Sequence, residues 1–162
     1  MAWKTSVLVV ANQTADSPEL VEALAERRKE GDAEFTLLLP PLPGHRDEAR
    51  RRVDEIVASW REAGLEASGT VGDPDPVVAV KEEWDPGRYD EVVISTLATG
   101  ASKWLQIDLP HRVERTTGVP VRHVVGSAAE PHDESAPPPP VRKPPRVPGL
   151  ERILGAPRKP AG

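Results

Sequence analysis

Across its first 127 residues the chain switches five times between a short strand-like run and a helix-like one. That alternation constrains the fold more than any other feature of the sequence. Ser6-Val7-Leu8-Val9-Val10-Ala11 is a continuous apolar run, the pattern of a strand covered on both faces. Asn12-Gln13-Thr14-Ala15-Asp16 ends it. Ser17 then caps a helix with Pro18 at its first position, where a missing N–H has no cost. Leu20, Val21 and Leu24 give that helix an apolar stripe, and Gly31 stops it.

The pattern continues in the same units. A second strand over residues 35–39 ends at Pro40-Pro41, and a Pro/Gly loop runs to Gly44. A helix follows over residues 46–63, with Ala49, Val53, Ile56, Val57 and Trp60 at helical spacing and Gly64 as its stop. Residues 65–71 are less hydrophobic and read as an edge strand. Asp75 and Pro76 start a third helix, which buries Val77, Val80 and Trp84; Tyr89 leads into a fourth strand over residues 91–95. Thr96-Leu97-Ala98-Thr99-Gly100-Ala101-Ser102-Lys103 is a small-residue loop. Pro110 divides residues 104–117 into a short turn and a helix capped by Asp108 that contains Leu109 and Val113. A fifth strand spans residues 119–125.

Strands alternating with helices imply an α/β domain, a doubly wound parallel sheet joined by right-handed crossovers with helices on both faces. Such a sheet binds ligands beyond the carboxyl ends of its strands, where the strand order reverses. In a 3-2-1-4-5 order that crevice lies between the loops at residues 12–16 and 96–103.

From residue 128 the alternation stops. Ten of the chain's 19 prolines fall in the last 35 residues, including Pro137-Pro138-Pro139-Pro140. With few large apolar side chains, residues 128–162 cannot bury enough surface to offset the entropy of ordering, so a disordered proline-rich tail is expected after a domain at residues 1–127. Six basic residues against four acidic ones make the tail basic at +2, which leaves −7 on the domain out of the net −5. An acidic domain is a poor match for a polyphosphate backbone and argues against nucleic acid as a partner. No apolar run approaches the roughly 20 residues of a membrane span. No charged-then-apolar leader precedes the first strand, so the expected compartment is cytoplasmic. Absence of cysteine removes disulfides and Cys-based zinc sites.

Three stretches together resemble the universal stress protein (UspA-like) family. Thr70-Val71-Gly72-Asp73-Pro74 is similar to the turn after that family's third strand. Val92-Val93-Ile94-Ser95-Thr96 with its small-residue loop is similar to the fourth strand and phosphate loop, and Gly118-Val119-Pro120-Val121-Arg122-His123-Val124-Val125 to the closing strand. The resemblance implies a Rossmann-like, adenine nucleotide alpha hydrolase-like fold and a regulatory or stress-response module that is not an enzyme. It also implies ATP or AMP as the candidate ligand, with the last strand (Val119, Val121, Val125) pairing to a second copy. Asn12 stands where nucleotide-binding members have an Asp after strand one. Thr96 and Thr99 stand near the two glycines of the phosphate loop, with Gly100 one residue late. Where the signature resumes with Gly-Ser, this chain has Leu109-Pro110, a side chain that blocks close approach and a residue without an N–H. The nucleotide-binding candidates are therefore Asn12, Gly72, Asp73, Thr96, Thr99, Gly100, Ser102 and Lys103, in a chain whose ATP signature is degraded.

Competing chemistries find less support in the residues. His45, His111, His123 and His132 lack metal-ligand spacing, so no metal site is expected. No Gly-x-Ser-x-Gly elbow, Walker loop or His-Glu-x-x-His occurs. A receiver domain would need acidic residues at the end of strand one and an Asp ending strand three, which Val10-Ala11-Asn12 and Val71-Gly72 do not supply. Arg50-Arg51-Arg52 reads as a solvated helix face; the tryptophans read as packing residues, with Trp104, just after the loop, the one that stands out as a lid or partner contact. Pro137-x-x-Pro140-x-Arg142 matches a polyproline-recognition pattern, which leaves an unknown protein partner of the tail as a further reading.

Overall fold

A computed structural model describes residues 4–98 and 102–127. The chain divides into two units, Met1–Glu130 and Pro131–Gly162. The expectations for the proline-rich tail lie outside the described residues, as does Trp3.

The first unit is a single parallel sheet of five strands in the order β3-β2-β1-β4-β5. Its elements follow in sequence as β1 (Thr5–Val10), α1 (Pro18–Glu30), β2 (Ala33–Leu39), α2 (Arg46–Glu62), β3 (Glu66–Val71), α3 (Pro76–Glu83), β4 (Glu91–Thr96), α4 (Lys103–Gln106), α5 (Leu109–Thr117) and β5 (Val121–Val125). β1 pairs on one side with β2 and on the other with β4, placing the reversal of strand order between β1 and β4 as the alternation implies.

Side chains alternate across β1, so its continuous apolar run feeds two cores. Val7, Val9 and Ala11 pack with Leu20 and Leu24 of α1 and with Val53, Ile56, Val57 and Trp60 of α2. Leu8 and Val10 face the other way, against Ala79 and Val80 of α3 and Leu109 and Val113 of α5. Close packing on the first face depends on Gly69 of β3, where a Cβ would lie 2.4 Å from Val53 Cγ1. Arg27 of α1 holds Glu91 at the start of β4 with two bonds of 2.8 and 2.9 Å, tying the helix to the sheet. No helix among the described residues is long and apolar enough to cross a membrane.

The caps show how the elements start. Ser17 Oγ accepts from Leu20 N at 3.2 Å, and Asp75 Oδ1 accepts from Val77 N at 2.9 Å. Asp108 departs from its expected role. It stands before α5 with φ 54°, and its side chain makes no capping bond. That carboxylate lies instead 3.5 Å from His111 Nδ1. The short turn before it is the four-residue helix α4, capped by Ser102 Oγ on Leu105 N at 3.3 Å. β5 starts at Val121 rather than residue 119, because Pro120 has no N–H to give a ladder. Val119 packs instead against the second core. Arg52 corrects the reading of a wholly solvated arginine run: it is half-buried and bonded to the loop after β1.

Candidate functional site

A cleft of about 360 Å³ opens beyond the carboxyl ends of β1 and β4. Its volume lies within the range of small-molecule sites. Because β2 and β3 lie on one side of β1 and β4 on the other, the walls differ in origin. Pro40, Pro41, Leu42 and Pro43 after β2, with Pro74 and Pro76 after β3, form one wall; Leu97, Trp104 and Ile107 form the other. Proline rings and a tryptophan give flat apolar surfaces with little rotamer entropy to lose.

The floor is made of hydroxyls. Thr14 Oγ1 and Ser95 Oγ are 2.6 Å apart, each 1% exposed, and both line the cleft. Only one of two hydroxyls can donate in such a pair. The other proton has no acceptor among the described residues, so the floor carries one surplus donor. Thr96 Oγ1 gives its single proton to Leu97 O at 2.8 Å and therefore accepts at 2.6 Å from His123 Nε2. In that arrangement His123 is a proton donor and does not activate the hydroxyl as a base would. Ser102, also nearly buried, uses an oxygen lone pair to cap α4, and its proton has no acceptor among the described residues. Lys103 is the one cation among the described lining residues.

Four of the expected site residues thus meet: Asn12, Thr96, Ser102 and Lys103 all line the cleft. Asn12 serves mainly as a cross-link. Its Nδ2 donates to Pro40 O at 2.9 Å, and its Oδ1 accepts from Arg52 Nη1 at 3.1 Å. Arg52 also reaches Gln13 O at 3.4 Å and lies 3.7 Å from Asp16 Oδ1. One N–H and one lone pair of Asn12 remain for a ligand.

Gly72 and Asp73 do not line the cleft. Gly72 is a packing residue: a Cβ there would lie 2.7 Å from Ala79 Cβ and 2.8 Å from Leu38 Cδ1. Asp73 Oδ1 accepts from Asp75 N at 2.8 Å and shapes the turn into α3. Thr99 and Gly100 lie outside the described residues. Leu109 is fully buried in the second core and Pro110 stands in the first turn of α5, away from the lining.

The sequence reading missed Thr14, Ser95 and the proline wall. Thr14 was within reach, since it falls in the loop after β1 that the topology already places at the crevice. Ser95 was hidden by its strand, where a small polar residue reads as filler.

No protein-family model and no curated protein matches the chain. Solved structures do. A universal stress protein from Archaeoglobus fulgidus shares 19% identity over 74% of this chain and 93% of its own, with a TM-score of 0.52. A universal stress protein in complex with cAMP aligns at 18% identity over 78% of this chain and 100% of its own, with a TM-score of 0.54. The Archaeoglobus fulgidus protein in complex with dAMP gives 16%, 76%, 99% and 0.53. At such identities the likeness is one of architecture, and it agrees with the strand order and the crevice described above: the chain has the universal stress protein fold.

Proposed function

We propose that this chain is a universal-stress-protein-like binding module, cytoplasmic and non-catalytic, whose crevice takes an adenine mononucleotide of the AMP type. The observation that carries the reading is the floor, where the Thr14–Ser95 pair holds a buried surplus donor beside Ser102 and Lys103. A phosphate or ribose oxygen supplies the missing acceptor, and the proline and Trp104 walls accept the faces of a flat ring. Structural neighbours in complex with cAMP and dAMP support this ligand class.

Charge decides between AMP and ATP. AMP brings roughly −2 at neutral pH. ATP adds two more phosphates to a cleft with one lining lysine on a domain of net −7. The Leu109-Pro110 pair offers those phosphates no close backbone N–H. Association completes the reading: β5 is a free edge with Val125 49% exposed, suited to pairing with a second copy.

Calorimetric titration of nucleotide-free protein with AMP, adenosine and ATP tests the ligand. The expected result is saturable AMP binding, weakened about tenfold by Lys103→Ala, which is ~1.4 kcal/mol. ATP is expected to bind less tightly than AMP. No saturation by AMP or adenosine at millimolar concentration would overturn the reading.

A further inference from the structure

A parallel sheet with free edges invites another strand at each of them. In β3 the bond from Gly72 N to Leu39 O fixes which backbone groups face inward, so the carbonyls of Ala67, Gly69 and Val71 face outward. Two of those three are already occupied. Arg61 Nε donates to Ala67 O at 2.9 Å. Arg46 Nη2 donates to Val71 O at 3.3 Å, and its Nη1 reaches Gly72 O at 3.2 Å. Both arginines come from α2, one near each end of the helix, so a single helix spans the edge it guards. The outward N–H of Leu65 is taken as well, by Trp60 O at 3.0 Å.

We propose that Arg46 and Arg61 close the β3 edge to a second copy of this chain, so that the sheet can extend at β5 alone. An incoming strand needs the same outward carbonyls as acceptors, and a charge-assisted guanidinium bond holds them against it. The strand carries no proline and no charged side chain beyond Glu66 at its start, so the arginines are the main protection of this edge among the described residues. At β5 the outward N–H of Val121 is taken by Glu114 Oε1 at 3.1 Å, but no side chain covers the outward carbonyls of Val121, His123 and Val125 among the described residues. If two copies join there, which rests on the association proposed above, their β3 edges end the joined sheet on both sides and growth stops.

The full chain has no cysteine, so Ser68→Cys labelled with pyrene reports β3-to-β3 contact from a single site. In the parent background we expect monomer emission alone at every concentration. Adding Arg46→Ala and Arg61→Ala should bring excimer emission that rises with concentration, together with species in sedimentation heavier than any the parent forms. Arg50→Ala with Arg51→Ala removes the same charge from the exposed face of α2 and should bring neither. Excimer in the parent, excimer in the Arg50/Arg51 control, or its absence from a folded Arg46/Arg61 variant would each overturn the proposal. Should circular dichroism show the double variant unfolded, Arg61→Ala alone carries the same test. Because the probe sits on β3, failure of β5 pairing or of nucleotide binding leaves this outcome unaffected.

Discussion

Gly126→Ala is the substitution whose effect is most directly calculable from the structure. Gly126 follows β5, is buried, and donates its N–H to Thr96 O at 2.8 Å. Its φ is not positive, so alanine meets no backbone strain there. The added Cβ, however, would lie 2.5 Å from Ser17 Oγ, 3.0 Å from Ser17 Cβ and 3.2 Å from Thr14 Cβ. Overpacking of this kind costs about 1–3 kcal/mol. Ser17 Oγ also caps α1 on Leu20 N, and displacing it adds about 1 kcal/mol. A total of about 2–4 kcal/mol should lower Tm by roughly 10 °C for a domain of this size. Ser17→Gly removes the two nearest of these atoms and leaves Thr14 Cβ at 3.2 Å, a contact that a small shift relieves. Glycine is itself a fair N-cap, so that change alone should cost about 1 kcal/mol, mostly lost packing. Combined, the two substitutions should cost little more than Ser17→Gly, giving a coupling of about 2–4 kcal/mol, close to the full cost of Gly126→Ala. Urea unfolding of the four proteins, followed by far-ultraviolet circular dichroism, measures the cycle, with a constant m-value as the check on the unfolded state. Additivity within ~0.5 kcal/mol would refute the steric argument, because the clash requires both residues.

Two further perturbations test the loops and the second core. Asn12→Asp replaces the amide that donates to Pro40 O with an oxygen that repels it, while Arg52 gains a charged partner. Loss of that buried donor, about 1–3 kcal/mol, should outweigh the gain at a partly exposed arginine, and thermal melts should show the deficit shrinking as pH falls toward about 4, where a protonated Asp can donate again. Tyr89 is buried against Trp84 and bonded to Glu83, and burial first, then that carboxylate, push its hydroxyl up to about 12. The unfolded chain releases this proton near 10, so the stability Tyr89 contributes is present below pH 10 and lost between about 10 and 12; phenolate absorbance rising at 10 in the folded protein would contradict this.

Much of the fold was legible because it is written in period and punctuation. The continuous apolar run of β1 required cover on both faces, and its alternating side chains divide between the two cores. Ser17, Asp75 and Gly31 marked helix ends through local chemistry that needs no tertiary partner. Asp108 had the same chemistry and failed. Its backbone is left-handed, which turns the carboxylate away from the first N–H groups of α5, and residue type alone carries no such torsion. Trp60 shows the same limit. Its spacing placed it correctly in the core, yet nothing in the sequence signalled that its Nε1 would be buried without a partner among the described residues.

The site was harder to read because its residues are defined by pairs that lie far apart in the chain. Topology could place the loops after β1 and β4 together, and Asn12, Thr96, Ser102 and Lys103 do meet there. It could not show that Thr14 would reach Ser95, 81 residues away, and bury a hydroxyl proton that has no acceptor among the described residues. Nor could it show that Arg52, one of three consecutive arginines, would leave the solvated face of α2 to take Asn12 Oδ1. These two pairings act in opposite senses. Arg52 consumes polar capacity that the loop after β1 would otherwise offer a ligand, and the same loop returns some of it two residues later through Thr14. Gly72, locked between Ala79 and Leu38, does not line the cleft, which the third-strand turn meets through the apolar ring of Pro74. For the ligand proposed above, the polar contacts on offer are therefore concentrated on the hydroxyl floor, and removing Thr14 and Ser95 together should weaken AMP more than removing any residue the sequence had nominated.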